Sequence, residues 1–234
     1  MTFAEYRALA GVNWSTLKAM RESPKAYKHA LTHDRKDTMP MMIGRAVHSL
    51  VLEPDTFGLH YAVWNGGDRR GAKWTEFEAT HAGMTIFKPA ELDLAYAMSA
   101  AVLADPVARD YLAGAVFEGS IAWTDPATGL ACKARPDVRN KARLLLADLK
   151  TCRSIDARRF GNESARLGYP QQLAHYASGC LHGLGWAPQT HALIAVEKDP
   201  PHDVGVFEIP PANREIAAEE VAALLERVRE RREA

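Results

Sequence analysis

The sequence predicts an α/β fold in which strands near the middle of the chain are enclosed by helices on both sides. Two apolar-leaning runs, Leu130–Val138 and Arg143–Lys150, are separated by a short polar bend, and this pattern predicts a β-hairpin. Upstream and downstream of the hairpin, apolar residues recur at helical spacing. Strands placed between helical segments in this way are typical of an α/β domain.

The N-terminal part of the chain is predicted to be mainly helical. Ser23 followed by Pro24 is a typical helix start, because serine caps the first turn and proline fits its first position. Four helices are predicted from apolar spacing and from prolines at their starts or ends: Ser15–Glu22, Pro24–Leu31, Met41–Glu53 and residues 89–104.

His48 lies on the third of these helices, one turn after Gly44. A glycine at that distance permits close approach by another element or by a ligand. A lone histidine on an amphipathic helix usually has a structural role. Beside a carboxylate-rich hairpin, however, His48 becomes a candidate metal ligand.

Residues 64–88 are irregular and rich in glycine, tryptophan and charge. One interpretation is a mobile loop that contacts nucleic acid through basic groups and a stacking indole. The side chains that would do so are Arg69, Arg70, Lys73 and Trp74. The other interpretation is a surface loop that leads into a short helix anchored by Trp74 and Phe77.

The strand pattern begins before the hairpin. Residues Val116–Thr124 alternate enough to predict a strand, and the turn signal over residues 125–129 leads into the hairpin. Together these segments predict a meander of three strands. Glu118 lies at the start of the meander, and the sequence leaves open whether it faces the site or the solvent.

The hairpin carries the residues with the clearest chemistry. Asp148 and Lys150 are two residues apart on a strand, so their side chains point to the same face while Leu149 points into the core. In an antiparallel hairpin Asp137 lies across from them. Two converging carboxylates repel each other unless a cation neutralises them, and oxygen ligands suit Mg²⁺ or Mn²⁺. An ammonium beside that cation is suited to position or activate a water molecule.

After the hairpin, the pattern returns to helices and strands. Gly168 and Pro170 separate two predicted helices, and on the second of them Gln172 and Tyr176 share one face because they are four residues apart. The predicted elements are helices over residues 155–166 and 171–184, strands His191–Glu197 and Val204–Ile209, and a final helix capped by Asn213.

Composition and charge are those of an ordinary globular protein. Of 234 residues, 47% are hydrophobic and 25% are charged, with 29 basic and 29 acidic residues. The balanced net charge gives no sign of a polyanionic partner, but residues 133–159 hold nine basic and three acidic residues. A locally positive segment beside a metal site suits a phosphate backbone, although a solvated face would have the same composition.

The three cysteines, Cys132, Cys152 and Cys180, are widely spaced and form no CxxC pair. An odd number at this spacing excludes a disulfide framework and argues against a four-cysteine metal site. The sequence has no apolar run long enough to span a bilayer and no visible signal peptide. We therefore expect a cytoplasmic protein with no membrane partner.

These motifs together resemble those of a known superfamily. Pro136-Asp137 and Asp148-Leu149-Lys150 resemble the two halves of the PD-(D/E)xK nuclease motif. The order of a helix, three strands, a helix and a strand matches its restriction-endonuclease-like core, a mixed central sheet flanked by helices. Gly44-Arg-Ala-Val-His48 and Gln172-x-x-x-Tyr176 resemble the RecB-like branch.

Within that branch, the resemblance is to the catalytic domain of exonuclease VIII (RecE), from about residue 5 to about residue 210. The segments that carry it are Trp14-Ser-Thr-Leu17, Ser23-Pro24, His48-Ser-Leu-Val-Leu-Glu-Pro54 and Cys132-Lys-Ala-Arg-Pro-Asp137. The resemblance implies one nuclease domain over residues 1–234, with a helical part (1–105) that carries His48, a catalytic core (106–210) and a C-terminal helix (211–234).

The resemblance also implies roles for individual residues. His48, Asp137, Asp148 and the Leu149 carbonyl would bind Mg²⁺, with Mn²⁺ as a substitute. Lys150 would position or activate the attacking water. Gln172 and Tyr176 would support the site and the DNA backbone, and Arg135 would meet a phosphate.

The implied activity is exonucleolytic degradation of linear double-stranded DNA, 5′ to 3′, which leaves 3′ overhangs for homologous recombination. The implied partners are further copies of the chain in a ring around DNA and a single-strand annealing protein, in a bacterial or phage-infected cell. Two alternatives remain open. One is a RecB-like or CRISPR-associated nuclease of other polarity, although the latter's cysteine quartet is missing; the other is a non-catalytic DNA-binding module.

Overall fold

The computed structural model describes residues 3–33 and 37–233. Its helices surround a central sheet. Within the described residues, the α-helices are α1 (Phe3–Ala8), α2 (Trp14–Leu17), α3 (Pro24–Thr32), α4 (Met39–Leu52), α5 (Phe57–His60), α6 (Ala72–Thr80), α7 (Pro89–Ala104), α8 (Pro106–Leu112), α9 (Ala157–Leu167), α10 (Tyr169–Leu184) and α11 (Pro211–Glu233). Two 3₁₀ helices cover Lys18–Arg21 and Pro54–Thr56.

The strands are short except at the centre of the sheet. They are β1 (Tyr61–Val63), β2 (Thr85–Phe87), β3 (Val116–Phe117), β4 (Ile121–Thr124), β5 (Ala131–Ala134), β6 (Val138–Asn140), β7 (Leu145–Cys152), β8 (Thr190–Glu197) and β9 (Val204–Glu208). Five of them form the main sheet in the order β3-β6-β7-β8-β9. β4 with β5, and β1 with β2, form two separate two-stranded sheets.

The main sheet is mixed. β6 and β7 are antiparallel, β7 and β8 are parallel, and β9 runs antiparallel to β8. The parallel pair requires a crossover, and α9 and α10 supply it. The predicted α/β fold, with a mixed sheet flanked by helices and a largely helical N-terminal region, is therefore confirmed.

Two apolar clusters cover the opposite faces of the sheet because side chains alternate along its buried strands. On β7, Leu146 and Cys152 belong to the cluster formed with α2, α10 and α11. Ala147 and Leu149 belong to the cluster formed with α4, α7 and α8. Asp148 and Lys150 lie on the first of these faces, between Leu146 and Cys152 along the strand.

The predicted three-strand meander is wrong in detail, because two of its strands are interrupted. Residues 116–124 break at Glu118, whose φ is 49°, and at Gly119, where an added Cβ would lie 2.4 Å from the Arg139 guanidinium. β3 therefore stays in the main sheet while β4 pairs with β5 outside it. The predicted run Leu130–Val138 also breaks, between Ala134 and Val138, so that its first part forms β5. β6 begins at its last residue, Val138, and forms the predicted hairpin with β7.

Most predicted helix boundaries hold to within a few residues, with two differences. The helix predicted over Ser15–Glu22 is instead α2 followed by a 3₁₀ turn. Asn213 does not cap the final helix, since α11 begins at Pro211. Among the helices described, none combines the length and hydropathy that crossing a bilayer requires.

Candidate active site

The centre of the site is the C-terminal half of β7. Asp148 and Lys150 occupy alternate positions on one face, as the sequence predicts, and Leu149 between them is fully buried in the opposite cluster. Asp148 is itself only 1% exposed. A buried carboxylate is unfavourable unless it is paired, and the Lys150 ammonium forms an ion pair with it.

Asp137 comes from the break before β6. Since Val138 pairs with Ala147, Asp137 is placed opposite Asp148, and its Oδ2 accepts a 2.8 Å hydrogen bond from the Leu149 N–H. Burial and then the Asp148 charge raise the pKa of Asp137 well above its ordinary value, although Lys150 opposes them. The predicted convergence of two carboxylates is thus present.

α4 brings His48 to the same place. An added Cβ on Gly44 would lie 3.3 Å from the Thr151 hydroxyl, so the glycine lets α4 pass close to β7. The His48 Nδ1 atom lies 3.3 Å from Asp137 Oδ2. Burial lowers the pKa of His48, while the Asp148 charge and a hydrogen bond to the Leu149 backbone favour its protonated form.

Glu118 reaches the site from the interruption between β3 and β4. His48, Glu118 and Asp137 each offer one ligand atom, and these atoms lie within 4.8 Å of one another. Burial and then the Asp137 charge raise the pKa of Glu118 to about 7. The sequence left open whether Glu118 faces the site or the solvent. The structure places it beside His48 and Asp137.

Arg135 binds two carboxylates, those of Glu118 and Glu53. Its Nε donates to Glu118 Oε2 over 2.6 Å, and its Nη2 donates to Glu53 Oε1 over 3.2 Å. The side chain is only 12% exposed. Arg135 is thus engaged with carboxylates of the protein, which the sequence did not predict.

Lys150 is fixed from three directions. Besides the pair with Asp148, its Nζ donates to Gln172 Oε1 over 3.1 Å and lies 4.5 Å from the centroid of the Tyr169 ring. Burial alone would lower the pKa of Lys150, but the Asp148 and Asp137 charges more than offset it, and the pKa is raised.

α10 supplies the polar face that meets Lys150. Gln172 Nε2 donates to Asp148 Oδ1 over 3.1 Å and lies 2.8 Å from the Tyr176 hydroxyl. Tyr169, one turn before Gln172, was missed at the sequence level. The signal was present, because Tyr169, Gln172 and Tyr176 are spaced i, i+3 and i+7 and therefore share one helical face.

A cleft of about 400 Å³ opens beside Lys150. Its walls come from β7 and from α1, α2, α4, α9 and α10, and they combine aromatic with polar groups. The side chains that line it include Tyr6, Trp14, Lys18, Lys150, Tyr169 and Tyr176.

The basic residues predicted for nucleic acid have varied surroundings. Arg69 donates to the Ile86 carbonyl and to Glu91, and its guanidinium lies 6.0 Å from the Trp74 ring centroid. Arg70 is exposed and pairs with Asp68, and Lys73 is exposed on α6. In the described structure no recorded contact joins Arg69, Arg70, Lys73 or Trp74 to the carboxylates of the site. The short helix anchored by Trp74 and Phe77 is confirmed as α6, and both rings pack against Trp64.

The donor set fits a divalent cation. Two carboxylates and an imidazole converge, and burial followed by a neighbouring carboxylate raises the pKa values of Asp137 and Glu118, so a bound cation would stabilise their ionised forms. Such oxygen-rich sets suit Mg²⁺ or Mn²⁺.

Comparisons with known proteins identify a family for this chain and solved structures with related folds. A family model described as a PDDEXK-like domain of unknown function (DUF3799) matches residues 13–233. No curated protein matches the chain. Among solved structures, a proposed exonuclease from Eubacterium rectale is 13% identical, with a TM-score of 0.66 over 98% of this chain and 86% of that one. A phage-related exonuclease from Haemophilus somnus 129PT is 14% identical, with a TM-score of 0.41 over 97% of each chain.

Proposed function

Since the chain belongs to the family of PDDEXK-like domains that matches residues 13–233, we propose that it is a metal-dependent nuclease acting on DNA. The family match confirms the PD-(D/E)xK resemblance. The observation that carries the proposal is the convergence of His48, Glu118 and Asp137 within 4.8 Å, next to the paired Asp148 and Lys150. A cation site beside an ammonium suits hydrolysis of a phosphodiester.

In finer terms, the enzyme is proposed to be an exodeoxyribonuclease that degrades linear double-stranded DNA from 5′ to 3′ and leaves 3′ overhangs for homologous recombination. Support comes from the motifs that resemble exonuclease VIII. The Eubacterium rectale protein with a similar fold is itself described as a proposed exonuclease, which is in keeping with this proposal.

The proposed metal ligands are His48, Asp137, Asp148 and the Leu149 carbonyl, with Glu118 as a further carboxylate. A bound Mg²⁺ or Mn²⁺ would lower the pKa of a water molecule and neutralise charge on the phosphate. Within this set, Asp148 forms an ion pair with Lys150 and accepts a hydrogen bond from Gln172. These two contacts hold the Asp148 carboxylate on β7, opposite Asp137.

Lys150, Gln172 and Tyr176 are proposed to act through hydrogen bonds and charge. Lys150 would position or activate the attacking water and stabilise negative charge that develops on the phosphate. Gln172 fixes Lys150 and Asp148 at the same time, because its amide contacts both. Tyr176 supports Gln172 from one turn further along α10.

Arg135 is proposed to orient Glu118, given its 2.6 Å hydrogen bond. This role differs from the phosphate contact that the resemblance implies for Arg135. Arg70, Lys73 and Trp74 remain proposed DNA contacts on the surface of α6 and its preceding loop. Arg69 is already bonded to Ile86 and Glu91, so a structural role is the simpler assignment.

Assembly and setting are proposed from the resemblance alone. They comprise a single nuclease domain over residues 1–234, a homo-oligomeric ring around DNA, an annealing partner protein, and a cytoplasmic location in a bacterial or phage-infected cell.

An end-labelled linear duplex tests the function. The duplex carries separate labels at its 5′ and 3′ ends and is incubated with wild type or Lys150→Ala, in Mg²⁺ or in EDTA. We expect early release of the 5′ label that requires both the metal and Lys150. Early release of the 3′ label would overturn the proposed polarity. Binding without strand loss would overturn the proposed nuclease activity and indicate a DNA-binding module.

A further inference from the structure

α9 is the helix that follows β7, the strand of Asp148 and Lys150. Asp156 caps its N-terminus, and the Asp156 side chain accepts a 3.0 Å hydrogen bond from the Arg159 N–H. The helix buries Phe160 and Ser164 against the core. Its opposite face is exposed and basic, with Arg158, Arg159 and Arg166 on the helix and Arg153 just before it.

These four arginines differ from most others in the described chain. Seven arginines elsewhere lie within ion-pairing distance of a carboxylate: Arg21, Arg45, Arg69, Arg70, Arg135, Arg143 and Arg229. No side-chain ion pair or hydrogen bond is recorded for Arg153, Arg158, Arg159 or Arg166 among the described residues. The exposed face of α9 therefore has positive charge that the protein leaves uncompensated.

An acidic neighbour is available on α9 itself. Glu163 is four residues after Arg159 and three before Arg166, a spacing at which ion pairs form on helices. It nevertheless lies within 4.0 Å of neither guanidinium. The arginine face is thus not neutralised by the one glutamate on its own helix.

The position of α9 relates this face to the site. α9 ends at Leu167, and Leu167 and Tyr169 line the cleft beside Lys150. Arg166 directly precedes Leu167. From Arg159 to Arg166 the helix rises about 10 Å, so the charge forms a strip that leads away from the cleft. A strip suits a chain of phosphates better than a single small anion.

We propose that the α9 arginine strip, Arg153, Arg158, Arg159 and Arg166, binds the phosphate backbone of the duplex that enters the cleft. The assignment rests on the proposed nuclease function. Guanidinium groups bind phosphate well because they donate several hydrogen bonds in a fixed plane and stay charged. Each phosphate contact releases condensed counterions, which makes binding dependent on salt.

The experiment measures duplex binding in EDTA, so that no cleavage is required, with a blunt fluorescent duplex of about 30 base pairs at several salt concentrations. Arg159→Glu combined with Arg166→Glu is expected to weaken binding at least tenfold. The neutral pair Arg159→Gln with Arg166→Gln is expected to reduce the slope of log K against log salt by about 1.8, or 0.9 per contact.

The matched control is Arg109→Glu combined with Lys141→Glu. Both residues are exposed, have no recorded ion pair in the described structure, and lie on α8 and in the turn before β7, at the end of that strand far from Lys150. The change in net charge is the same. We expect the control to bind within twofold of wild type.

Equal weakening by both pairs would show a general charge effect and overturn the assignment to α9, as would an unchanged salt slope. A parallel titration with a single strand of the same length distinguishes the ligand, and an effect confined to that strand would overturn the assignment to duplex. Because the readout is binding, a protein that binds through α9 but cleaves nothing would refute the proposed activity and leave this inference standing.

Discussion

The Lys150 Nζ atom lies 4.5 Å from the centroid of the Tyr169 ring, and both residues line the cleft. The ring therefore limits where the ammonium points, together with Asp148 and Gln172. A cation over an aromatic ring is stabilised by about 0.5 to 2 kcal/mol, and more when water is excluded.

The first prediction concerns this contact. Tyr169→Leu removes the ring and is expected to lower kcat for strand release about tenfold, with KM changed less than twofold, because the ammonium loses its orientation. Tyr169→Phe keeps the ring and should stay within about twofold of wild type. A Phe variant as impaired as the Leu variant would assign the effect to the hydroxyl instead of the ring.

A second prediction concerns metal binding and needs no catalysis. Mn²⁺ is expected to raise the Tm of the wild type, since a cation that binds only the folded state stabilises it. Glu118→Gln should weaken the apparent Mn²⁺ affinity about tenfold, because one carboxylate leaves the donor set.

Glu53→Gln is the matched control for that experiment. Glu53 contacts the same Arg135 guanidinium but lies outside the donor set with His48 and Asp137. The Mn²⁺ affinity of the Glu53→Gln variant should stay within twofold of wild type. Equal losses in Glu118→Gln and Glu53→Gln would mean that Glu118 acts only through Arg135.

The third prediction concerns the turn that places α10. Gly168 has a φ of +74°, and an added Cβ would lie 2.8 Å from the Trp14 ring and 2.9 Å from the Arg21 guanidinium. Gly168→Ala is therefore expected to reduce the free energy of unfolding by about 3 kcal/mol, from backbone strain and overpacking together. Chemical denaturation at pH 7 measures it.

Gly129→Ala separates the two causes. Gly129 has a similar φ of +69° but nothing within 4 Å of an added Cβ. Only backbone strain applies there, so we expect a loss of about 1 kcal/mol. If both variants lose the same amount, close packing against Trp14 does not constrain the turn.

A fourth prediction concerns acid stability. Burial lowers the pKa of His175 to about 4, and its ring packs 5.0 Å from Trp123. Since the folded state disfavours the protonated ring, the stability is complete above pH 6.5 and is lost as the pH falls from 6.5 towards 4. At pH 5 the loss from this residue is roughly 2 kcal/mol.

The measurement is the free energy of unfolding of wild type and His175→Phe at pH 7 and at pH 5. The decrease in the free energy of unfolding between pH 7 and pH 5 should be smaller in the variant than in wild type by the same roughly 2 kcal/mol, whatever the variant's stability at pH 7. An identical decrease would show that His175 is not protonated on unfolding in this range.

Local periodicity accounts for what was predicted correctly. Asp148 and Lys150 share a face because a strand repeats every two residues, and Gln172 and Tyr176 share one because a helix repeats every 3.6. The order of helices and strands, and the hairpin of β6 with β7, follow from the same two periods. These relationships need only neighbouring residues, so the sequence contained them.

Contacts between distant segments decided the rest. The predicted strand over residues 116–124 breaks because Gly119 packs against the Arg139 guanidinium, and the break turns Glu118 toward His48 and Asp137. Arg135 meets Glu53, 82 residues away. No local period encodes such contacts, because they depend on which side chains the folded core brings within a few ångströms. The sequence by itself thus determined the elements and the paired motif residues, while the tertiary structure alone decided which further groups join them in the candidate site.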